Sequence, residues 1–160
     1  MIVGLPSKFV SRAILGTMAF AFLNLSACDL EPDVGGALTA RCDNTDTDPS
    51  VDVSWSTDVA PLFLRTTGGC APCHDPNAAG NIGFTVGGLA LTSHEALLRG
   101  GARGGASIVV SGAPCSSVLY QKLLPGPPFG ARMPLDGPPF LTSAELRIVH
   151  DWIAEGAGEN

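Results

Sequence analysis

The pentapeptide Cys-Ala-Pro-Cys-His at residues 70–74 restricts the fold of this chain more than any other stretch. Two thiols and an imidazole are held within a few residues of one another, directly after a pair of glycines. This spacing is typical of covalent haem attachment, because two such thiols can add to the two vinyl groups on one porphyrin edge while the histidine supplies a nitrogen to the iron. We therefore predict one haem c, bound through Cys70 and Cys73, with His74 as the proximal iron ligand.

The composition is compatible with a bound group of that size. Apolar residues make up 45% of the 160 residues, but aromatic residues make up only 6%, while 20 glycines and 13 prolines favour turns. A large prosthetic group would add apolar mass that these side chains lack. The formal net charge of −6 argues against nucleic acid as a partner, because binding to a phosphate backbone needs an excess of Lys and Arg.

The same five residues allow three other interpretations. A structural zinc site needs four ligands, and the motif offers at most three, with no second pair at zinc-binding spacing. A thioredoxin-like dithiol would follow a strand in a βαβ unit, and the sequence gives no sign of such a strand. A disulfide between Cys70 and Cys73 would close a very small loop. Because each alternative meets one of these objections, haem attachment is the preferred interpretation of the motif.

A haem iron held by His74 needs a sixth ligand or an open position. Met133 is the single methionine between residues 28 and 160, and it lies in the proline-rich loop "GARMPLDGPP". A thioether is a soft ligand suited to reduced iron. We therefore predict that Met133 is the distal iron ligand. The alternative is that Met133 fills a gap in the core.

The amino terminus has the pattern of a bacterial lipoprotein. Lys8 and Arg12 precede an apolar run at residues 13–27, which is shorter than the roughly 20 residues of a membrane-spanning helix. The run ends in "LSAC", which resembles a lipobox, so we predict a signal peptide over residues 1–27 and lipidation of Cys28. The alternatives are an uncleaved anchor or ordinary cleavage beside an incidental cysteine.

Residues 28–52 are acidic and lack a hydrophobic period, which predicts a flexible tether ahead of a domain over residues 53–160. Cys42 and Cys115 are the two cysteines left once the lipid and the motif are assigned. In an oxidising compartment such a pair suggests a disulfide between the tether and the domain, although two unpaired small residues would fit the sequence equally.

The domain reads as all-α, with short helices joined by long loops, since no window shows the alternation of a strand. The final helix is the clearest, because Thr142 and Glu145 have the spacing of a capping box and Gly156 follows the last apolar position. Residues 75–91 are expected to be irregular. Shorter helices are predicted over residues 56–65, over 92–101 with Thr92 as the cap, and over 116–124.

Four further side chains carry expectations of their own. His94 and His150 are expected to be exposed to solvent rather than to act as ligands. Arg132 and Tyr120 are candidates to contact the haem propionates.

From Val53 to Gly158 the chain resembles a class I-type cytochrome c domain, and more narrowly the planctomycete-type cytochrome c family. The resemblance is carried by "CAPCH", by "RMP", by "SVLYQKL" and by the terminal helix "AELRIVHDWIAEGA". It implies thioethers at Cys70 and Cys73, iron ligation by His74 and Met133, and packing between the two terminal helices.

These expectations together predict a membrane-anchored, periplasmic or surface-facing electron carrier, held to the inner or outer membrane and paired with redox proteins of the cell envelope. Two axial ligands would leave no iron position for a substrate, which favours transfer over catalysis. The alternatives are a five-coordinate haem sensor or peroxidase-like enzyme, and a surface-binding lipoprotein without haem.

Overall fold

The computed structural model describes residues 42–160, and over this range the chain is helical and contains no β-strand. The predicted all-α class is therefore confirmed for residues 42–160. The predicted signal peptide, the lipidated Cys28 and the first part of the tether lie outside the described residues. A π-helical turn at Trp55–Val59 leads into the helices α1 (Ala60–Leu64), α2 (Ala71–His74), α3 (Ile82–Gly87), α4 (His94–Leu98), α5 (Val118–Leu123) and α6 (Ser143–Ala154), with 3₁₀ turns at Gly105–Ser107 and Pro114–Ser116. None of these helices has the length and apolar character that crossing a membrane requires.

The first and last helical segments pack together, as the resemblance implies. Trp55 and Trp152 are both buried, and their ring centroids lie 5.3 Å apart. Phe63 is fully buried and meets Trp55 edge to face. Arg65, just after α1, forms an ion pair with Glu145 in the first turn of α6. Part of the core is therefore built where the first and last helical segments of residues 42–160 meet.

The start of α6 matches the prediction in detail. The backbone N–H of Glu145 donates to the hydroxyl of Thr142, and the Glu145 carboxylate accepts from the backbone N–H of Thr142. Such a capping box satisfies amide groups that have no partner within the helix. The Glu145 carboxylate also forms the ion pair with Arg65, so it links the start of α6 to the residue that follows α1.

Three local predictions are wrong. Residues 75–91 are not wholly irregular, because α3 forms within them, ends at Gly87 and is capped by Gly88, which has a φ of +64°. The cap of α4 is Ser93 rather than Thr92, since the Ser93 hydroxyl accepts from the backbone N–H of Ala96. The predicted helix over 116–124 starts later, at Val118, after a 3₁₀ turn. The two shifts at helix starts are of one or two residues, which is the ordinary variation of helix boundaries.

Residues 42–48, here called the strap, are fastened to the domain. Cys42 and Cys115 form a disulfide, as the cysteine count suggested, with Cα atoms 5.7 Å apart. The side-chain oxygen of Asn44 accepts from the backbone N–H of Cys115 at 2.9 Å, and the Thr47 backbone N–H donates to Asp151 at 3.1 Å. Residues 42–48, which we had assigned to the tether over residues 28–52, thus contact the domain.

The two histidines expected to be exposed are buried instead, with 9% of His94 and 5% of His150 accessible. His94 Nε2 lies 2.8 Å from the carbonyl oxygen of Ala157, and the ring meets both Trp55 and Trp152 edge to face. His150 Nε2 lies 2.6 Å from the carbonyl oxygen of Asp43 in the strap. Both buried rings have hydrogen-bond partners on carbonyl groups that are distant in sequence. The residues next to each histidine therefore gave no indication that it is buried.

Candidate functional site

A tight turn after α1 brings the Cys-x-x-Cys-His segment back against the core. The backbone N–H of Cys70 donates to the carbonyl of Phe63 at 2.8 Å. Gly69 makes this turn possible, because a Cβ at that position would lie 2.1 Å from the backbone oxygen of Arg65. The Arg65 side chain closes the turn by donating from Nε to the carbonyl of Gly68 at 3.1 Å. Gly68 has a φ of +62°, which favours glycine, so both glycines before the motif contribute to placing α2.

The motif borders a cleft with a volume of about 430 Å³, within the roughly 300–1,000 Å³ usual for small-molecule and cofactor sites. Cys70, Cys73 and His74 line it from α2, and Met133 lines it from the loop after α5. Most of the remaining lining side chains are apolar and come from α3, from α5, from the segments between them and from the loop after α5: Ile82, Val86, Leu89, Leu91, Ile108, Val118, Leu119, Leu123, Phe129, Pro134 and Leu135. All four residues predicted to hold a haem thus face one apolar cleft.

The imidazole of His74 is held in one orientation. Its Nδ1 lies 2.9 Å from the carbonyl oxygen of Leu89, which can only accept, so Nδ1 carries the proton. The carbonyl of His74 accepts from the backbone N–H of Leu91 at 3.1 Å. In a neutral ring this arrangement leaves Nε2 with its lone pair available to a metal, and a hydrogen bond to the other nitrogen is the usual support of a metal-binding histidine.

Met133 is half-buried and packs against the hydrophobic core. Its backbone N–H donates to the carbonyl of Lys122 in α5 at 2.8 Å. The ammonium group of Lys122 donates to the carbonyls of Phe129, at 2.6 Å, and of Ala131. Arg132 donates from Nε to the carbonyl of Leu123 at 2.7 Å. Four hydrogen bonds therefore fix the loop before Met133 on α5, and they place the thioether in the cleft.

Both cysteines of the motif are free thiols, and their environments differ. Cys70 is buried, and burial raises the pKa of its thiol to about 12, an effect that the nearby charge of Arg65 partly offsets. Cys73 is half-exposed. Near neutral pH the Cys70 thiol is protonated, and Cys73 is the more accessible sulfur of the two.

The charged residues at the cleft are not those expected. Arg103, Lys122 and Asp136 line it. Tyr120 lies in a separate hollow against His150, with ring centroids 5.3 Å apart, and the Arg132 guanidinium stacks 4.1 Å above the ring of Phe140. Neither Tyr120 nor Arg132, the two residues expected to contact haem propionates, lines the cleft. The three charged residues that line the cleft are at least 29 positions from the motif in sequence, so spacing did not indicate them.

The two other metal or redox interpretations of the motif gain no support. Between residues 42 and 160 no group of three or more His, Cys, Asp and Glu side chains is arranged to hold a metal ion. Cys70, Cys73 and His74 therefore do not form such a group either, with or without a fourth ligand from these residues. A thioredoxin-like dithiol would need a strand ahead of α2, and this part of the chain has none.

Sequence reasoning missed two contributors to the site. The carbonyl of Leu89 orients His74, but a backbone acceptor leaves no signature in the sequence. Gly83, in α3, lies directly against the His74 ring. Its position in a glycine-rich stretch was visible, but that stretch was interpreted as irregular. Comparison of the chain with models of known protein families, with curated proteins and with solved structures finds no match.

Proposed function

We propose that the domain is a c-type cytochrome that binds one haem covalently and carries single electrons. The observation that carries the proposal is the shared cleft, which Cys70, Cys73, His74 and Met133 all line although Met133 is 59 residues further along the chain than His74. A class I-type cytochrome c fold, close to the planctomycete type, is part of this proposal. Its support is the helical architecture, the contact between the terminal helical segments and the order of the ligand residues.

The apolar lining of the cleft supports haem as its ligand. Large apolar side chains stand exposed at its edge, with 55% of Ile82, 73% of Val86 and 62% of Leu135 accessible. Exposed apolar side chains gathered at one cleft indicate a site that an apolar ligand covers. Arg103 is exposed at the same cleft, and its guanidinium forms no hydrogen bond or ion pair with residues 42–160, so it is available to a carboxylate.

Each residue has a separate role in this proposal. The Cys70 and Cys73 thiols would hold the haem, each by adding S–H across one vinyl double bond with sulfur on one carbon and hydrogen on the other, which would consume no oxidant. His74 donates the Nε2 lone pair while Leu89 holds its Nδ1 proton. Met133 supplies a thioether, which favours the reduced metal. When bound, the haem supplies a one-electron redox centre. With His74 and Met133 as ligands no position remains for a substrate, so the protein is a carrier rather than an enzyme.

The test is expression of the chain in a periplasm that contains a cytochrome c maturation system. We expect haem that remains with the protein on a denaturing gel, and a low-spin spectrum with the band of a methionine ligand. Cys73→Ser should leave at most one thioether, and Met133→Ala should remove the methionine band while haem remains attached. The matched control is Cys42→Ser with Cys115→Ala, which should keep both features because neither residue lines the cleft. A colourless wild type would refute the proposal.

The same experiment separates the carrier from a five-coordinate sensor or peroxidase-like enzyme. In the carrier, carbon monoxide has to displace Met133 from the reduced protein. If carbon monoxide binds the wild type and Met133→Ala equally fast, then Met133 is not a ligand and the carrier proposal is wrong.

We also propose that the protein is a lipoprotein of the bacterial envelope, anchored through Cys28 and facing the periplasm or the cell surface, with redox proteins of the envelope as partners. The support is the sequence pattern of residues 1–28. Labelling with radioactive palmitate in a bacterial host tests the anchor, since Cys28→Ser should lose the label while Cys42→Ser keeps it. A wild type that takes up no label would contradict it.

A further inference from the structure

We propose that Gly83 is a positioning residue that keeps the imidazole of His74 in its ligand orientation. The inference rests on the proposed function, because that proposal assigns the ligand role to His74. A Cβ at residue 83 would lie 2.7 Å from Nε2 and 2.8 Å from Cδ2 of His74, and 2.9 Å from the backbone oxygen of Cys73. All three distances are shorter than two such atoms can adopt, so any side chain here forces a movement.

The surroundings leave the imidazole little freedom to make that movement. The Cys73 oxygen belongs to the backbone of α2, whose position is fixed by the hydrogen bond from the Cys70 N–H to Phe63. The His74 ring is held through Nδ1 by the Leu89 carbonyl, and its backbone is held by Leu91. A side chain at residue 83 therefore either pushes α2 and α3 apart or turns the ring away from Leu89, and both changes alter the position of Nε2 relative to α3.

Gly87 provides a matched control on the same helix. It is the last residue of α3 and also borders the cleft, yet a Cβ at residue 87 would meet no atom within 4 Å. Gly83→Ala and Gly87→Ala add the same methyl group to the same short helix. They differ in whether that methyl group meets His74.

The test uses the full chain matured with haem. Both variants should stain for covalent haem, because attachment depends on the two cysteines. Gly87→Ala should keep the low-spin spectrum of the wild type. In Gly83→Ala we expect the ratio of bound to detached imidazole to fall roughly 10- to 100-fold, the usual effect of disturbing the support of a metal ligand. Identical spectra for the two variants would overturn the proposal.

A second measurement needs no variant, in case Gly83→Ala does not fold. In the NMR spectrum of the wild type, a nuclear Overhauser effect should connect the Gly83 Hα protons with His74 Hδ2, and none should connect Gly87 with His74. A missing Gly83 contact would refute the inference. If the wild type carries no haem, the proposed function fails, but this contact is still measured on the protein as purified and decides the role of Gly83 separately.

Discussion

Removal of the disulfide between the strap and the domain should lower the free energy of unfolding by about 4 kcal/mol. The two cysteines are 73 residues apart in the sequence, and their Cα atoms are 5.7 Å apart. Closing a loop of that length removes conformational entropy from the unfolded chain, which corresponds to roughly 4 kcal/mol in the chain-entropy treatment. Since small domains unfold at a cost of about 5–15 kcal/mol, this one bond accounts for a large share of the stability.

The perturbation is the double variant Cys42→Ser with Cys115→Ala, in which alanine avoids placing a hydroxyl at the buried position 115. The assay is urea unfolding of the haem-loaded protein, followed by circular dichroism and by the fluorescence of Trp55 and Trp152. Wild type treated with a reductant is the control, and it should lose as much stability as the variant, whereas the variant should not respond to the reductant. A variant within about 1 kcal/mol of the oxidised wild type would refute the reasoning.

Three further predictions concern single side chains. Thr142→Ala removes the cap of α6 and should lower the free energy of unfolding by about 1 kcal/mol in urea unfolding; an unchanged midpoint would contradict this. Burial tends to raise the pKa of Asp151, but hydrogen bonds from Thr47 and a neighbouring imidazole outweigh it and the pKa is lowered. Ionised Asp151 therefore stabilises the fold at pH values above 3.8, the ordinary pKa of an aspartate. This contribution is lost as the pH falls through the lower pKa that Asp151 has in the folded state. Asp151→Asn should flatten that acid-side loss in unfolding curves measured at successive pH values, and an equally steep loss in both proteins would count against the assignment. In protein produced without haem, iodoacetamide should alkylate Cys73 before Cys70 at pH 7, because burial keeps the Cys70 thiol protonated and inaccessible. Peptide mass spectrometry would measure the order, and faster modification of Cys70 would contradict it.

Features that depend on a few neighbouring residues were predictable from the sequence. The cap and apolar face of α6 follow from the spacing of Thr142, Glu145, Val149 and Trp152, and each of these residues has its expected role or burial. The Cys-x-x-Cys-His spacing predicted a binding site at residues 70–74, and α2 with these residues lines the cleft. The position of Met133 at the same cleft followed from its being the single methionine of the predicted mature chain.

Features that depend on distant partners were not predictable. His150 is buried because the strap supplies a carbonyl from Asp43, which is 107 residues away. The strap itself looked like part of an acidic tether, since local composition does not reveal a disulfide or the acceptor Asp151. Helix α3 forms despite its glycines because it packs on α2, where Gly83 provides the space for His74. In each case a contact between remote segments prevails over local propensity.

The bond between Cys42 and Cys115 also determines what a protease can release. It turns residues 42–115 into a covalent ring that contains the whole Cys-x-x-Cys-His segment. One cut anywhere inside that ring leaves both fragments joined through sulfur, so that the amino-terminal segment and α6 remain parts of one molecule. Shedding of the domain by a single cleavage would then require a site before residue 42, or reduction of the bond after the cut.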